Sequence, residues 1–247
     1  MMKQEKSNSN FFMVAKTMHG LENVLAEELH QVGAVKITTN KRAVTFYGDK
    51  TLLYKANIYL RTALRILKPF YKFNARNNDE LYQKVKKIDW ENYISLNDTF
   101  LIDSSINQSK NFKHSQYVSQ KIKDAIVDQF REKYGRRPSV NKYTPKIKIN
   151  IHINETKCIL SIDSSGESLH KRGYRIRKGE APINEVLAAG IILLSRWDKK
   201  TILKDPMCGS GTILIEAGMI AKNQAPNINR KNFGFMFWKD FDKNLFE

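Results

Sequence analysis

The chain has 247 residues and carries 42 Lys and Arg against 25 Asp and Glu, a formal net charge of +17. In a sequence of ordinary apolar content that imbalance points to a polyanionic partner, nucleic acid first, and no apolar run approaches the roughly 18 residues a membrane-spanning helix needs. The length admits two domains, or two and part of a third.

Residues 1–10 are polar with no apolar core and read as a frayed lead rather than a signal peptide. An apolar run of strand length follows at 11–17, and then 19–31 places Leu21, Val24, Leu25 and Leu29 at helical spacing with Gly33 as a stop. Runs at 35–39 and 43–47 form a hairpin across 40–42, and a second helix spans 49–60. This β-α-β-β-α order opens a ferredoxin-like arrangement over 11–60. His19 and His30 fit surface or capping roles there.

A second unit covers 61–165. Residues 61–73 read as a strand, Asn78 caps a short helix carrying Leu81, Val85 and Ile88 with Trp90 beneath its end, and 100–106 is another strand. From Ser115 an amphipathic helix turns Val118, Ile122, Ile126 and Phe130 inward, which sends Lys121, Lys123 and Arg131 outward, and Gly135 ends it. Residues 146–153 and 158–163 alternate as an antiparallel hairpin. Cys158 and Cys208 stand far apart and form no metal-ligand cluster, so both are expected as free thiols in a reducing cytoplasm.

The third unit, 166–247, enters through a Gly- and Ser-rich linker, 164–179, expected to run over the surface, whose Lys171, Arg172, Arg175 and Arg177 extend the positive field. Ala181-Pro182 opens a helix over 183–197 with Ile183, Leu187, Ile191 and Leu194 along one face. A short apolar strand at Thr201 then passes through Asp205 into a loop with Gly209 and Gly211, and a helix starts near Thr212. Such a loop lets backbone approach a ligand closely and presents free N–H groups at a helix start. A P-loop would need Lys and then Ser or Thr after its last glycine, but Gly211 is followed by Thr212 and Ile213; a dinucleotide loop would need Gly or Ala where Leu214 stands.

The octet Asp205-Pro-Met-Cys-Gly-Ser-Gly-Thr212 closely resembles the cofactor loop of class I S-adenosylmethionine methyltransferases that modify RNA. Residues Ser109, Lys113-His-Ser115, Lys123-Asp-Ala-Ile126, Phe130-Arg131 and Gly135-Arg-Arg-Pro138, with the hairpin after them, resemble a THUMP domain, an RNA-binding module of RNA-modifying enzymes. Arg172-Gly-Tyr-Arg175 and the helix after Pro182 resemble the entry segment of the bacterial ribosomal RNA guanine-N2 methyltransferases, in which that segment packs beside the cofactor loop. That family commonly has Lys where this chain has Asn184, so no contact of that side chain is carried over.

The resemblance implies an α+β chain: a ferredoxin-like N-terminal module and a THUMP domain, followed by the beginning of an α/β Rossmann-like methyltransferase domain. It implies S-adenosylmethionine as cofactor, held at its methionine end by Asp205, Pro206, Gly209, Ser210, Gly211 and Thr212. It further implies RNA gripped through Lys110, Lys113, His114, Lys121, Lys123, Arg136 and Arg137, with Lys171, Arg172 and Arg175 continuing the surface, and no bound metal. The expected reaction is methylation of a guanine N2 in 23S ribosomal RNA; a tRNA methyltransferase or an RNA-binding adaptor without catalysis are the alternatives. No Asn- or Asp-Pro-Pro-Tyr-like tetrapeptide occurs, since Asp205-Pro206 is the only Asp-Pro pair. No catalytic residue is therefore assigned, and the methyltransferase sheet is expected to be incomplete, a remaining C-terminal part being the further partner.

Overall fold

In the computed structural model, which describes residues 10–175 and 182–247, strand β1 (Phe11–Lys16) pairs antiparallel with β3 (Ala43–Gly48), and β3 in turn with β2 (Val35–Asn40). Helices α1 (Glu22–Gln31) and α2 (Lys50–Tyr59) complete the module. The helix starts follow from local chemistry: the Asp49 carboxylate accepts from the Leu52 N–H at 2.8 Å, and Gly33, at φ 95°, stops the chain after α1 in a conformation that favours glycine. The module belongs to the first of two units, formed by Met1–Ile66, Glu167–Lys231 and Lys243–Glu247.

The same unit holds α5 (Glu185–Leu194), α6 (Thr212–Ala221) and the short α7 (Lys243–Phe246). Helix α5 starts later than the sequence suggests, with Asn184 as its cap accepting from the Val186 N–H at 2.9 Å; Ala181 lies outside the described residues. The expected apolar face of α5 is also the opposite of what packs. Val186, Ala188, Ala189 and Ile192 are buried, whereas Leu187, Ile191 and Leu194 are exposed. At Gly190 an added Cβ would stand 2.6 Å from the tip of the Leu21 side chain, at the start of α1, so that leucine packs against bare backbone there. No strand forms at 201–204: among the described residues no neighbouring strand pairs with that segment, and an extended chain without a ladder partner is not a strand.

The second unit comprises Leu67–Gly166 and Asn232–Asp242. Its strands run in the order β4 (Arg65–Asn74), β8 (Lys157–Asp163), β7 (Ile147–Asn154), β5 (Thr99–Asn107) and β6 (Ser139–Val140). Strands β7 and β8 are the antiparallel hairpin, with Ile149 opposite Ile162, while β5 runs parallel to β7 with Phe100 opposite Ile147. Because side chains alternate across a strand, Ile147, Ile149, Ile151 and Ile153 all enter the core, where α3 (Asn78–Lys86) and α4 (Ser115–Tyr134) contribute Leu81, Val85, Ile122, Ile126 and Phe130. The cap of α3 is Asn77 rather than Asn78, accepting from the Glu80 N–H at 2.8 Å. Trp90 is fully buried beneath that helix and donates to the Val85 carbonyl at 2.8 Å. At the far end of α4, Gly135 takes φ 65° and donates to the Arg131 carbonyl, a left-handed stop.

Two details revise the expected linker. Ser164 and Ser165 are buried, not on a surface loop, and Phe235 donates to the Ser164 carbonyl at 2.9 Å. That crossing requires glycine: a Cβ on Gly234 would lie 2.5 Å from the Asp163 carbonyl oxygen and 2.8 Å from the Gly166 nitrogen. Phe233 and Phe235, stacked at 5.2 Å between ring centres, are core residues of this segment. No described helix is long and apolar enough to cross a membrane.

Candidate functional site

The glycine loop lies in the first unit and is built by the start of α6. Gly209 (φ 52°) and Gly211 (φ 72°) both occupy the left-handed region, and a Cβ on either would meet nothing within 4 Å. Gly211 donates to the Cys208 carbonyl at 2.7 Å, which closes the turn, and its own carbonyl accepts from Ile215, which starts the helix. No side chain caps α6, so its first N–H groups are the donors that an uncapped helix start leaves without intrahelical partners. Asp205 is half-buried and turns its Oδ1 toward the Met207 N–H at 3.2 Å, leaving the second carboxylate oxygen for other work. Pro206 and Ser210 are exposed, whereas the Thr212 hydroxyl is buried and contacts both Ser210 and Arg175, so what Thr212 can offer a ligand is its backbone.

These features suit the amino-acid end of the implied cofactor. Its carboxylate matches an uncapped, positively polarised helix start, its ammonium matches Asp205, and the open space at both glycines admits close backbone approach. Cys208 adds a reporter within the loop. It is exposed, while Cys158 is buried and desolvation pushes its thiol up to about 11. Thiolate is the reactive form, so iodoacetamide is expected to alkylate Cys208 and spare Cys158 in the folded chain. Mass mapping that finds the two equally modified contradicts this placement.

The expected cations fall into separate groups. Lys110, Lys113 and His114 are exposed just before α4; Arg136 and Arg137 are exposed just after it. None of the four Lys and Arg in these groups makes an ion pair among the described residues. Twenty helical residues at about 1.5 Å each put the two groups roughly 30 Å apart, at opposite ends of the helix. Between them the charge is partly neutralised: Lys121 lies 4.0 Å from Asp79, and Lys123 pairs with Asp124. Lys113 and His114 also line two adjoining clefts of about 370 and 640 Å³, to which Asn78, Tyr117 and Gln120 contribute, a feature that charge patterning alone does not reveal.

Lys171, Arg172 and Arg175 belong to the first unit, and Arg172 departs from expectation. It is 2 % exposed and its guanidinium is engaged within the protein, on the Leu169 and Arg61 carbonyls and on Glu216, so it is withdrawn from the surface. Arg175 is half-buried and pairs with Glu185 at 2.6 Å. Lys171 is exposed and pairs with Glu167 at 3.1 Å, and Arg177 lies outside the described residues.

Three family models match the chain in order: the RlmL ferredoxin-like domain over residues 13–67, the THUMP domain over 75–163, and the RMKL-like methyltransferase domain over 172–245. A Synechocystis protein named "Putative RNA methyltransferase" is 42% identical over 94% of this chain and 60% of its own length. Among solved structures, a Listeria monocytogenes protein described as "a predicted N6-adenine-specific DNA methylase" superposes with a TM-score of 0.82 at 34% identity, over 96% of this chain and 62% of its own. SMU.472, "a putative methyltransferase complexed with SAH", gives 0.81 at 36% over the same shares. TrmN from Thermus thermophilus, at 19% identity and 0.62 over 89% of this chain and 63% of its own, shares the fold. The chain thus spans about three fifths of the length of these relatives. With the three domain models matched in sequence order, the chain is similar to THUMP-containing methyltransferases along nearly its whole length.

Proposed function

We propose that this chain supplies the RNA-binding domain and the cofactor loop of an S-adenosylmethionine-dependent RNA methyltransferase, whose target is the exocyclic N2 of a guanine in large-subunit ribosomal RNA. The observation that carries this reading is the loop itself, two left-handed glycines with open space before an uncapped helix, in a chain that also bears a THUMP domain. The names of the relatives divide between RNA and DNA. The THUMP match and the +17 charge favour RNA, and the RlmL-type first module favours the ribosomal target. When bound, the cofactor supplies an activated methyl on a sulfonium, so the protein's contribution is alignment rather than chemical activation. Within this chain, Asp205 and the backbone of 209–212 hold and orient the cofactor's amino-acid end, and the cations flanking α4 hold RNA phosphates by counterion release.

The first unit also carries a face that needs a cover. Helices α5 and α6 meet through Ile192, Ala217 and Ile220, yet Leu187, Ile191, Leu194, Leu214 and Ile215 on the same pair are exposed. Helices apolar on all sides are buried on all sides. We assign this face to the strands of the remaining methyltransferase sheet, because the matched relatives are longer than this chain by about two fifths of their own length. A separately produced polypeptide matching the part of the Synechocystis relative not aligned here is expected to bind and to displace a hydrophobic dye from the face. Retention of the dye with no complex by light scattering contradicts the assignment.

The substrate is tested by competition. A 23S ribosomal RNA fragment is expected to displace labelled RNA from the chain more effectively than bulk tRNA or duplex DNA of equal length, and equal displacement by DNA would overturn the RNA reading. Arg136→Ala with Arg137→Ala is expected to weaken binding and flatten the slope of log affinity against log salt by about 1.5, near 0.7–0.9 for each phosphate no longer neutralised. An unchanged slope would remove that end of α4 from the interface.

A further inference from the structure

The loop glycines alone do not determine where the loop stands; the helix behind it does. Helix α6 is held at two points along its length, and the chain just past it at a third, by arginines from other segments of the same unit. At its first residue, Arg175 donates from Nη2 to the Thr212 hydroxyl at 3.2 Å, while its Nε reaches Glu185 of α5 at 2.6 Å. One turn later the Glu216 side chain is wholly buried, and its Oε1 accepts from the Tyr174 hydroxyl at 3.1 Å and from Arg172 Nε at 3.5 Å. Past the helix end, Arg61 donates from Nη2 to the Gln224 carbonyl at 2.8 Å.

Arg172 itself is anchored, with Nη1 on the Leu169 carbonyl at 2.7 Å and Nη2 on the Arg61 carbonyl. The chain of contacts continues into the ferredoxin-like module. The buried Glu28 carboxylate of α1 accepts from the backbone N–H of Arg61 at 2.7 Å and of Thr62 at 2.9 Å, and from the Thr62 hydroxyl. Burial pushes both the Glu28 and the Glu216 carboxyls up; for Glu216 the pull of Arg172 and Tyr174 opposes it. Glu216 Oε2 and Arg61 Nη1 are both buried and make no hydrogen bond, so one carboxylate oxygen and one guanidinium nitrogen remain in a site where burial makes an unpaired polar atom costly.

Such an arrangement is a poor way to gain stability. A buried ion pair replaced by apolar groups of similar volume commonly leaves a protein as stable or more so, and the surviving use of such pairs is to select one arrangement among several. A helix as apolar as α6, whose contact with α5 rests on Ile192, Ala217 and Ile220, is open to sliding or rotation, and a polar clamp with one partner geometry removes that freedom. We propose that Arg172, Tyr174 and Glu216 are positioning residues for the cofactor loop: they fix the rotation of α6 on the ferredoxin-like module and so set the aim of the Gly209–Thr212 backbone N–H groups. None of the three is placed in contact with the cofactor. The inference rests on the cofactor reading above but concerns the frame behind the site.

The test separates positioning from mere stability. The double variant Arg172→Met/Glu216→Leu removes the polar clamp and keeps the volume. It is expected to unfold close to the parent's temperature, yet its helix-bonded amides at 215–221 exchange with solvent deuterium at least tenfold faster, while those of β7 and β8 are unchanged. Its affinity for S-adenosylhomocysteine falls at least tenfold, and its RNA affinity is retained. Tyr174→Phe, which loses one hydrogen bond and no charge, gives the same effects in smaller degree. If the double variant keeps both parental exchange at 215–221 and parental affinity, the clamp is structural only and the inference is overturned. A parent chain that takes up no S-adenosylhomocysteine sinks the cofactor reading instead, and the exchange measurement, which needs no ligand, still decides the inference. Should the double variant fail to fold, the exchange and affinity of Tyr174→Phe decide it in the same way.

Discussion

Glu216→Ala, with Arg172 left in place, is expected to destabilise the first unit by about 3–5 kcal/mol, the usual cost of removing one partner from a buried ion pair. The reason is in the geometry rather than in the pair's net contribution. Arg172 keeps two carbonyl acceptors, at Leu169 and Arg61, but its charge then lies 2 % exposed with no carboxylate beside it, and Tyr174 loses its acceptor as well. For a chain of this size the loss corresponds to a melting temperature lower by roughly 6–20 °C. Glu216→Gln keeps an acceptor oxygen and is expected to cost less than Glu216→Ala. Calorimetric melting of the three proteins reads this directly, and an Ala variant melting within a degree or two of the parent contradicts the account of Arg172.

The second large effect is expected at Gly211. A β-branched residue there must adopt φ 72°, which costs on the order of 1–3 kcal/mol, and open space rather than a clash surrounds the new side chain. Gly211→Val relieves that strain by shifting the turn that starts α6, so the expected result is a 10- to 100-fold loss of cofactor affinity with the RNA-binding unit untouched. Gly218 supplies the contrast. It too has nothing within 4 Å of an added Cβ, but it lies inside α6 with no positive φ, so Gly218→Ala is expected to raise stability by up to about 1 kcal/mol and to leave cofactor affinity alone. The same two titrations done side by side check both signs; equal losses in the two variants would mean that backbone conformation is not what Gly211 contributes.

Much of this was legible in the sequence because it rests on short-range chemistry. The alternation of Ile147, Ile149, Ile151 and Ile153 dictates a strand, Gly135 dictates where α4 stops, and Gly209 and Gly211 announce the loop before Thr212. What failed depends on partners that periodicity does not show. The run at 201–204 has strand composition, but a strand exists only where another pairs with it, and none among the described residues does. The stripe of Leu187, Ile191 and Leu194 satisfies the rule for an amphipathic helix, but α5 is apolar on nearly every side, so spacing could not say which face α1 and α6 would cover.

Arg172 shows the same limit for charge. In a run of cations it reads as one more phosphate ligand, and only the distant Glu216, with the carbonyl of Arg61, makes it an internal strut. The surface cations divide for a related reason: Lys113 and Arg137 are 24 positions apart in sequence, and the straight helix between them turns that separation into the length of the unit's longest helix.

The central claim is that the backbone around Gly209 and Gly211 receives the amino-acid end of the methyl donor. The most direct measurement is an NMR titration of the isotopically labelled chain with S-adenosylhomocysteine, following the amides of Gly209, Ser210, Gly211 and Thr212. The account expects these four to shift together and saturate, while the amides of β7 and β8 stay still. Four amides that do not move at millimolar ligand, or a response centred elsewhere in the chain, would contradict it.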